Sequence, residues 1–571
     1  MVIKYIWEFL SEREKNKFLI LLCLSIIVLF FEIISIGTIF PFIYSLIDEN
    51  FLDKYIFLRE IYEPFNLQKN HFSIFILFFL LIIILIKNSF LAFFLWIENK
   101  FFYETQEKIS KRLFSNLIDK DYSFHLKNNS ADLITRIRTD SSLIRDTISA
   151  LFNFFQSIIF ISGILVFLIF LEPIAFTITC MAFLLLGSLF YKFTSKKISE
   201  MGKIRQKFEI AKTKKLQESF SGIKEIKTFL LKNIFIKDYD LLAKSIAKTY
   251  AIRGLILKLP KVFIETVVLI VIIILTIILL DGTKENTKVF ALLGVFAVSA
   301  IKIIPHVYSV LNALNTFKFS KKPIDYYKEN LANQDFNLNF NKQIEFKFKD
   351  KIFFKKVFFQ YPEKNENVLE NLNFEITKGD LIHLQGSTGA GKSTLIDLFL
   401  GLQAVSSGEI FIDETNINKL QNHWLNFISY VPQSIYLFDD TIKNNITLGR
   451  NENEIDKKNF FTSIKNSELE EFINKLPNKE NTVIGEVGSK ISGGQKQRIG
   501  IARALYKKSE IIILDEATNA LDLQTEKKIY QNLRKLKDKT LIVINHKEIP
   551  VESNFKIFKI KDKQLTINEK N

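Results

Sequence analysis

The sequence predicts a polytopic α-helical membrane domain of six transmembrane helices, fused to a mixed α/β domain. Three observations lead there. Apolar runs of the roughly 20 residues that a bilayer core requires occur six times up to Leu311 and not beyond it. The tail from about Asn341 alternates short strands and helices with Gly-rich turns, the pattern of a layered α/β domain. Finally, 12 of the 20 glycines follow Lys378, where tight loops need them. The expected division is residues 1–330 and 331–571.

The 571 residues are 48% hydrophobic and include 57 phenylalanines, with a mean hydropathy of +0.14. Apolar content this high excludes a disordered chain. Two cysteines, Cys23 and Cys180, both inside apolar runs, exclude a disulfide framework. Ile3 to Leu10 reads as a short amphipathic helix on the membrane surface. Glu8, Glu12 and Glu14 spoil the basic leader of a signal peptide.

The six runs are Phe18 to Ile47, Phe72 to Ile97, Ala150 to Leu171, Ile174 to Tyr191, Val262 to Leu280, and Val289 to Leu311. A soluble domain of this size cannot bury six helices that are apolar on every face. Between the second and third runs lie Lys100, Lys108, Lys111, Arg112, Lys120, Lys127, Arg136, Arg138 and Arg145, and the segment Lys192 to Lys261 is richer still. The opposite loops hold only Lys54, Arg59, Lys69, Lys284 and Lys288. Lysine and arginine mark the cytoplasmic side, so both termini and the two long loops are expected there. The net charge of +16 follows mostly from this topology and gives no reason to expect nucleic acid as a partner.

In the second half, Gly386-Ser387-Thr388-Gly389-Ala390-Gly391-Lys392-Ser393-Thr394 satisfies the G-x-x-x-x-G-K-[ST] phosphate loop. Leu381 to Gln385 reads as the strand before it and Thr394 to Leu400 as the helix after it. Backbone N–H groups and a helix N-terminus make such a loop an anion nest. Lys392 is placed to reach the β- and γ-phosphates of a nucleotide, and the Ser393 hydroxyl to ligate Mg²⁺. Ile511-Ile512-Ile513-Leu514-Asp515 reads as a buried parallel strand ending in a carboxylate. Asp515 is placed to hold Mg²⁺ through water, and Glu516 to act as general base on the attacking water.

Ile491-Ser492-Gly493-Gly494-Gln495-Lys496-Gln497-Arg498 resembles the signature of ATP-binding cassette (ABC) proteins, with Ile491 where that family usually has Leu. Other stations follow in the family's order. Tyr361 resembles the aromatic that stacks on adenine. Gln433, in Val431-Pro432-Gln433, resembles the Q-loop glutamine near Mg²⁺. Gly485-Glu486 resembles the exporter X-loop, Ala520-Leu521-Asp522 the D-loop, and His546 the switch histidine at the γ-phosphate. Asn519 departs from the usual Ser, and Asn545 and Lys547 from the usual Ala and Arg. The resemblance implies ATP and Mg²⁺ as cofactors and ATP hydrolysis, with Glu516, His546 and Gln433 catalytic. The implied fold is the type IV exporter half-transporter: a polytopic α-helical membrane domain fused to an α/β P-loop ABC ATPase domain.

The resemblance also implies a dimer. Ser492, Gly493, Gly494 and Gln495 of one cassette would complete the ATP site built on Lys392 of another, so the chain pairs with itself or with a sister half-transporter, and intact motifs at both sites favour a homodimer. Short coupling helices are expected near Asp119 to His125 and near Phe229 to Phe235. Charged residues inside spans are costly and face a cavity by default. Lys87, Lys261 and Lys302, from three spans, could converge on an anionic substrate such as a pyrophosphate; snorkelling, or pairing with Glu32 and Glu265, is the competing reading. Phe31-Glu32 through Phe40-Pro41-Phe42-Ile43, Leu259-Pro260-Lys261 and Lys302-Ile303-Ile304-Pro305 resemble PglK-type flippases of lipid-linked oligosaccharides. That resemblance implies ATP-driven flipping of a polyprenyl-pyrophosphate-linked oligosaccharide across the bacterial inner membrane. Lipid A, drugs or peptides are the alternative cargo.

Overall fold

The computed structural model describes residues 2–47, 72–171, 173–280, 286–331, 346–362, 366–536, 538–545 and 555–568. They belong to two compact units, residues 1–120 with 124–336, and residues 121–123 with 337–571.

The described residues of the first unit form helices and no strand. Its elements are α1 (Val2–Phe9), α2 (Glu12–Gly37), α3 (Ile39–Ile47), α4 (Phe72–Ile118), α5 (Tyr122–Lys127), α6 (Ser130–Thr135), α7 (Ser141–Leu171), α8 (Pro173–Ser221), α9 (Ile223–Thr228), α10 (Lys232–Leu280), α11 (Asn286–Phe319) and α12 (Lys321–Leu331). Among the described residues, four stretches are long and apolar enough to cross a membrane: Glu12–Leu46, Ile74–Ile118, Ser130–Leu171 and Val289–Phe319. They carry the first, second, third and sixth predicted spans. The fourth and fifth lie on α8 and α10, outside that set. Along α4, Phe78, Phe79, Leu81, Ile82, Leu85 and Ile86 are exposed. A continuous apolar face of that kind suits hydrocarbon rather than water.

Helix packing here depends on small residues. A Cβ on Gly163 of α7 would meet Leu29 Cδ2 of α2 at 2.5 Å, and one on Gly202 of α8 would meet the Phe319 carbonyl oxygen at 2.3 Å. The second contact is with backbone that cannot give way, so only glycine permits it; the first would force the Leu29 side chain to move. Pro173 begins α8 at the first helical position, where its missing N–H leaves no bond unmade.

Two expectations need correction. The apolar face of α1 is not free for a membrane surface, because Ile6, Phe9 and Leu10 are buried in the unit's own core. The second of the expected short helices is α9, Ile223–Thr228, rather than Phe229 to Phe235. Leu230 takes a left-handed φ of 57°, which stops α9, and α10 restarts at Lys232. The first short helix, α5, overlaps its expected place. Lys54, Arg59, Lys69 and Lys284 lie outside the described residues, as do Lys547 and His546.

Among the described residues, the second unit carries two sheets. The first is antiparallel, in the order β2-β1-β4-β5, from β1 (Lys351–Phe359), β2 (Leu369–Thr377), β4 (Ser407–Ile412) and β5 (Thr415–Asn416). The second runs β10-β9-β3-β8-β7-β6, from β3 (Leu381–Gly386), β6 (Ile428–Val431), β7 (Ile511–Asp515), β8 (Thr540–Ile544), β9 (Lys556–Lys561) and β10 (Gln564–Asn568). All its pairings are parallel except β9 with β10. Three helices matter for the site: α13 (Lys392–Phe399), α14 (Gly493–Tyr506) and α15 (Leu523–Arg534). Every residue of β7 and β8 is buried, as expected for central parallel strands covered on both faces.

Candidate nucleotide site

A parallel sheet collects its loops at the carboxyl ends of its strands, and ligands bind there. Here β3 ends at Gly386, β6 at Val431 and β7 at Asp515. Their continuations supply the phosphate loop, Gln433 and Glu516. A cavity of about 400 Å³ opens at this edge, lined by Tyr361, Val368, Thr388, Gly389, Gly391, Lys392, Ser393, Thr394, Gln433, Asp515 and Glu516.

The loop geometry depends on two glycines. Gly389 and Gly391 have φ of +83° and +100°, a region that side chains disfavour. A Cβ on Gly391 would also press within 2.9 Å of Leu369 Cδ2. Gly386, Ser387 and Ala390 belong to the same loop without lining the cavity. The Lys392 ammonium folds back over the loop, donating to the Gly386 carbonyl at 2.7 Å and the Ser387 carbonyl at 3.1 Å. The Tyr361 hydroxyl lies 3.0 Å from Thr394 Oγ1, and its ring packs edge-on against Phe359.

The acidic side is a connected network. Gln433 Nε2 and Asn519 Nδ2 both donate to Glu516 Oε2, at 2.7 and 2.8 Å. The Tyr430 hydroxyl donates to Asp515 Oδ2 at 3.1 Å. Burial pushes the Asp515 carboxyl above its ordinary range. The Tyr430 bond opposes this, neighbouring Glu516 adds to it, and Lys392 offsets part. A carboxylate made costly by burial gains from a cation beside it.

The donor set fits Mg²⁺. Ser393, Asp515 and Gln433 offer hard oxygen atoms in one cavity. Among the described residues no group of three or more His, Cys, Asp or Glu could hold a metal alone. Mg²⁺ is commonly held by one or two carboxylates together with phosphates and water, so the sparse acidic set suits it.

The signature residues do not line this cavity. Ser492 caps α14, its Oγ accepting from Gln495 N at 3.3 Å while Gln495 Oε1 accepts from Ser492 N at 2.8 Å. Gly493 and Gly494 start the helix, and a Cβ on Gly494 would meet the Ala520 carbonyl at 2.9 Å. Sequence reasoning gave no role to Gln497 or Tyr430. Gln497 Oε1 accepts from Ala520 N at 2.8 Å, and its Nε2 donates to the Glu516 carbonyl at 3.4 Å. It ties the signature helix to the acidic loop. Its place within the signature octet was the one available signal, and Tyr430 had none.

Two family descriptions match the chain: "ABC transporter transmembrane region" over residues 18–299 and "ABC transporter" over residues 369–519. The ATP-dependent lipid A-core flippase of Pseudoalteromonas translucida is 30% identical over 484 residues, 79% of this chain and 78% of that one. The chain belongs to the ABC transporter family. This ABC exporter spans about half (48%) of ABC transporter B family member 1 of Dictyostelium discoideum, to which it is 30% identical over 456 residues, 77% of its own length. In fold it matches a bacterial Atm1-family ABC exporter solved with ATP bound, with a TM-score of 0.80, 19% identity, and coverage of 97% of this chain and 94% of that one. The exporter thus joins a membrane-spanning region to an ATP-binding, ATP-hydrolysing cassette.

In its membrane unit the three singled-out lysines do not form one cluster. Lys87 and Lys302 meet at Glu32, at 2.9 and 2.7 Å. Lys261 pairs instead with Glu265 on its own helix at 3.8 Å, and its side chain is exposed. The spacing of four residues on α10 puts those two on one face, which takes Lys261 out of the expected convergence.

Proposed function

We propose that two copies of this exporter bind ATP between their cassettes and use it to move a lipid with a phosphorylated headgroup across the bacterial inner membrane. Residues 1–330 form the membrane domain and 331–571 the cassette, with both termini cytoplasmic. The observation that carries the reading is the gathering of phosphate loop, Asp515, Glu516 and Gln433 around one cavity.

In that cavity the loop N–H groups and Lys392 take the phosphates, and Tyr361 packs on the adenine. Ser393, Asp515 and Gln433 would hold Mg²⁺, which when bound neutralises phosphate charge. Glu516 accepts the proton of the attacking water, steadied by Gln433 and Asn519. His546 would contact the γ-phosphate. Ser492, Gly493, Gly494 and Gln495 of the second copy close the site, since those of the same chain lie outside it. Closure biases the membrane helices between two states, the ligand-driven shift that alternating access requires.

For cargo, a polyprenyl-pyrophosphate-linked oligosaccharide is the finer reading, supported by the intramembrane lysines Lys87 and Lys302. A relative named as a lipid A-core flippase favours a second reading, lipid A. Both carry phosphate on a lipid anchor. Reconstituted protein tested against a panel of lipid-linked glycans, lipid A and hydrophobic cations separates them. Stimulated ATPase and flipping with the cations alone would overturn the phosphorylated-lipid reading.

A further inference from the structure

Three charged side chains from three helices meet inside the membrane region. Glu32 of α2 places Oε2 2.9 Å from the Lys87 ammonium of α4, and Oε1 2.7 Å from the Lys302 ammonium of α11. The side chains of Lys87 and Glu32 are only 9% and 11% exposed, whereas Lys302 is 37% exposed. One lysine would suffice to neutralise Glu32. The second leaves an excess positive charge at a depth where charge is expensive and marks function by default. Each carboxylate oxygen serves one ammonium. A phosphate group offers oxygens at similar spacing and binds ammonium groups through the same charge-assisted bonds. Glu32 therefore stands where the phosphate of a lipid headgroup would be held.

We infer that Glu32 is an internal counter-ion that competes with a phosphate-headed lipid for Lys87 and Lys302. The inference rests on the proposed transport of a phosphorylated lipid and adds the residue that sets its affinity. Entry is from the Lys302 side, the more open end. The headgroup takes Lys302, Glu32 retains Lys87, and the first negative charge delivered cancels the excess. Release returns Glu32 to both lysines, so the empty site keeps its own anion and holds ordinary phospholipid headgroups weakly.

The test is equilibrium binding of a polyprenyl monophosphate to the full-length protein in nanodiscs of neutral lipid. The uncharged prenol and inorganic phosphate serve as controls. Glu32→Gln is expected to tighten monophosphate binding roughly tenfold or more, with no gain for the prenol. Lys302→Gln should weaken binding, and adding it to Glu32→Gln should erase the gain. Glu32→Asp keeps the charge but cannot span both ammonium groups, so it should fall between parent and Glu32→Gln. It decides the matter if Glu32→Gln does not fold. Unchanged or weaker monophosphate binding in folded Glu32→Gln or Glu32→Asp, undiminished binding in folded Lys302→Gln, or an equal gain for the prenol, would make the triad a tie between helices and overturn the inference. Inorganic phosphate bound as tightly as the lipid would overturn the lipid source. A gain in binding without phosphorylated-lipid transport by the parent protein would overturn the transport reading and leave the counter-ion standing.

Discussion

Gln433 and Glu516, 83 positions apart in the chain, are joined by a hydrogen bond of 2.7 Å from the amide to the carboxylate. The pairing of β6 with β7 brings them together, since each residue follows the carboxyl end of its strand. Glu516→Gln keeps the shape and removes the proton acceptor. ATP turnover should fall by roughly 10²–10⁴-fold, the usual contribution of a general base, while ATP binding persists. Phosphate release set against nucleotide retention checks this, and full turnover would exclude Glu516 as base.

Asn519 donates to the same carboxylate oxygen at 2.8 Å. Asn519→Ala should lower kcat several-fold with the KM for ATP unchanged, because the residue holds Glu516 and does not line the cavity. Asn519→Asp should be worse, since it sets a second negative charge against Glu516. Steady-state kinetics across ATP concentration separates kcat from KM.

Lys392→Ala should weaken ATP binding by removing the ammonium above the phosphate loop. Ser492→Arg should leave that loop intact and block closure in a second copy. Mixed dimers of the two variants contain one site with both halves sound. They should trap ATP at that single site, whereas neither variant alone traps any. Trapped nucleotide counted per isolated mixed dimer is the readout, and no trapping in the mixture would show that the site is not shared between copies.

Arg205 of α8 and Asp140, just before α7, form an ion pair of 2.9 Å with side chains 0% and 3% exposed. Removing one partner strands a buried charge, at a cost of about 3–5 kcal/mol. Asp140→Ala should therefore lower the thermal midpoint in detergent markedly. Asp240→Ala, which breaks an exposed pair with Lys244, should shift it little, because surface pairs contribute about 0–1 kcal/mol.

The legible features were local ones. The phosphate loop is a run of adjacent residues whose spacing states its geometry, and Ile511–Asp515 is an all-apolar run that emerges as β7 with its bounds intact. Spans announce themselves because hydrocarbon constrains every residue facing it. The network around Glu516 was only partly legible. Asn519 stood out as a departure, but nothing nearby in the chain shows that its amide reaches Glu516. The shift from Phe229–Phe235 to Ile223–Thr228 in the second short helix was hidden because a left-handed turn at Leu230 leaves no composition signal.

The order of motifs and the confinement of apolar runs to one half determined, without coordinates, that a phosphate-binding α/β cassette follows a membrane region. Such properties reside in neighbouring residues, where covalent spacing alone dictates chemistry. Which charges meet was decided by tertiary structure. Glu32 takes Lys87 and Lys302, and Lys261 stays with Glu265, because helix packing sets distances that no local pattern records and electrostatic pairing depends on distance above all.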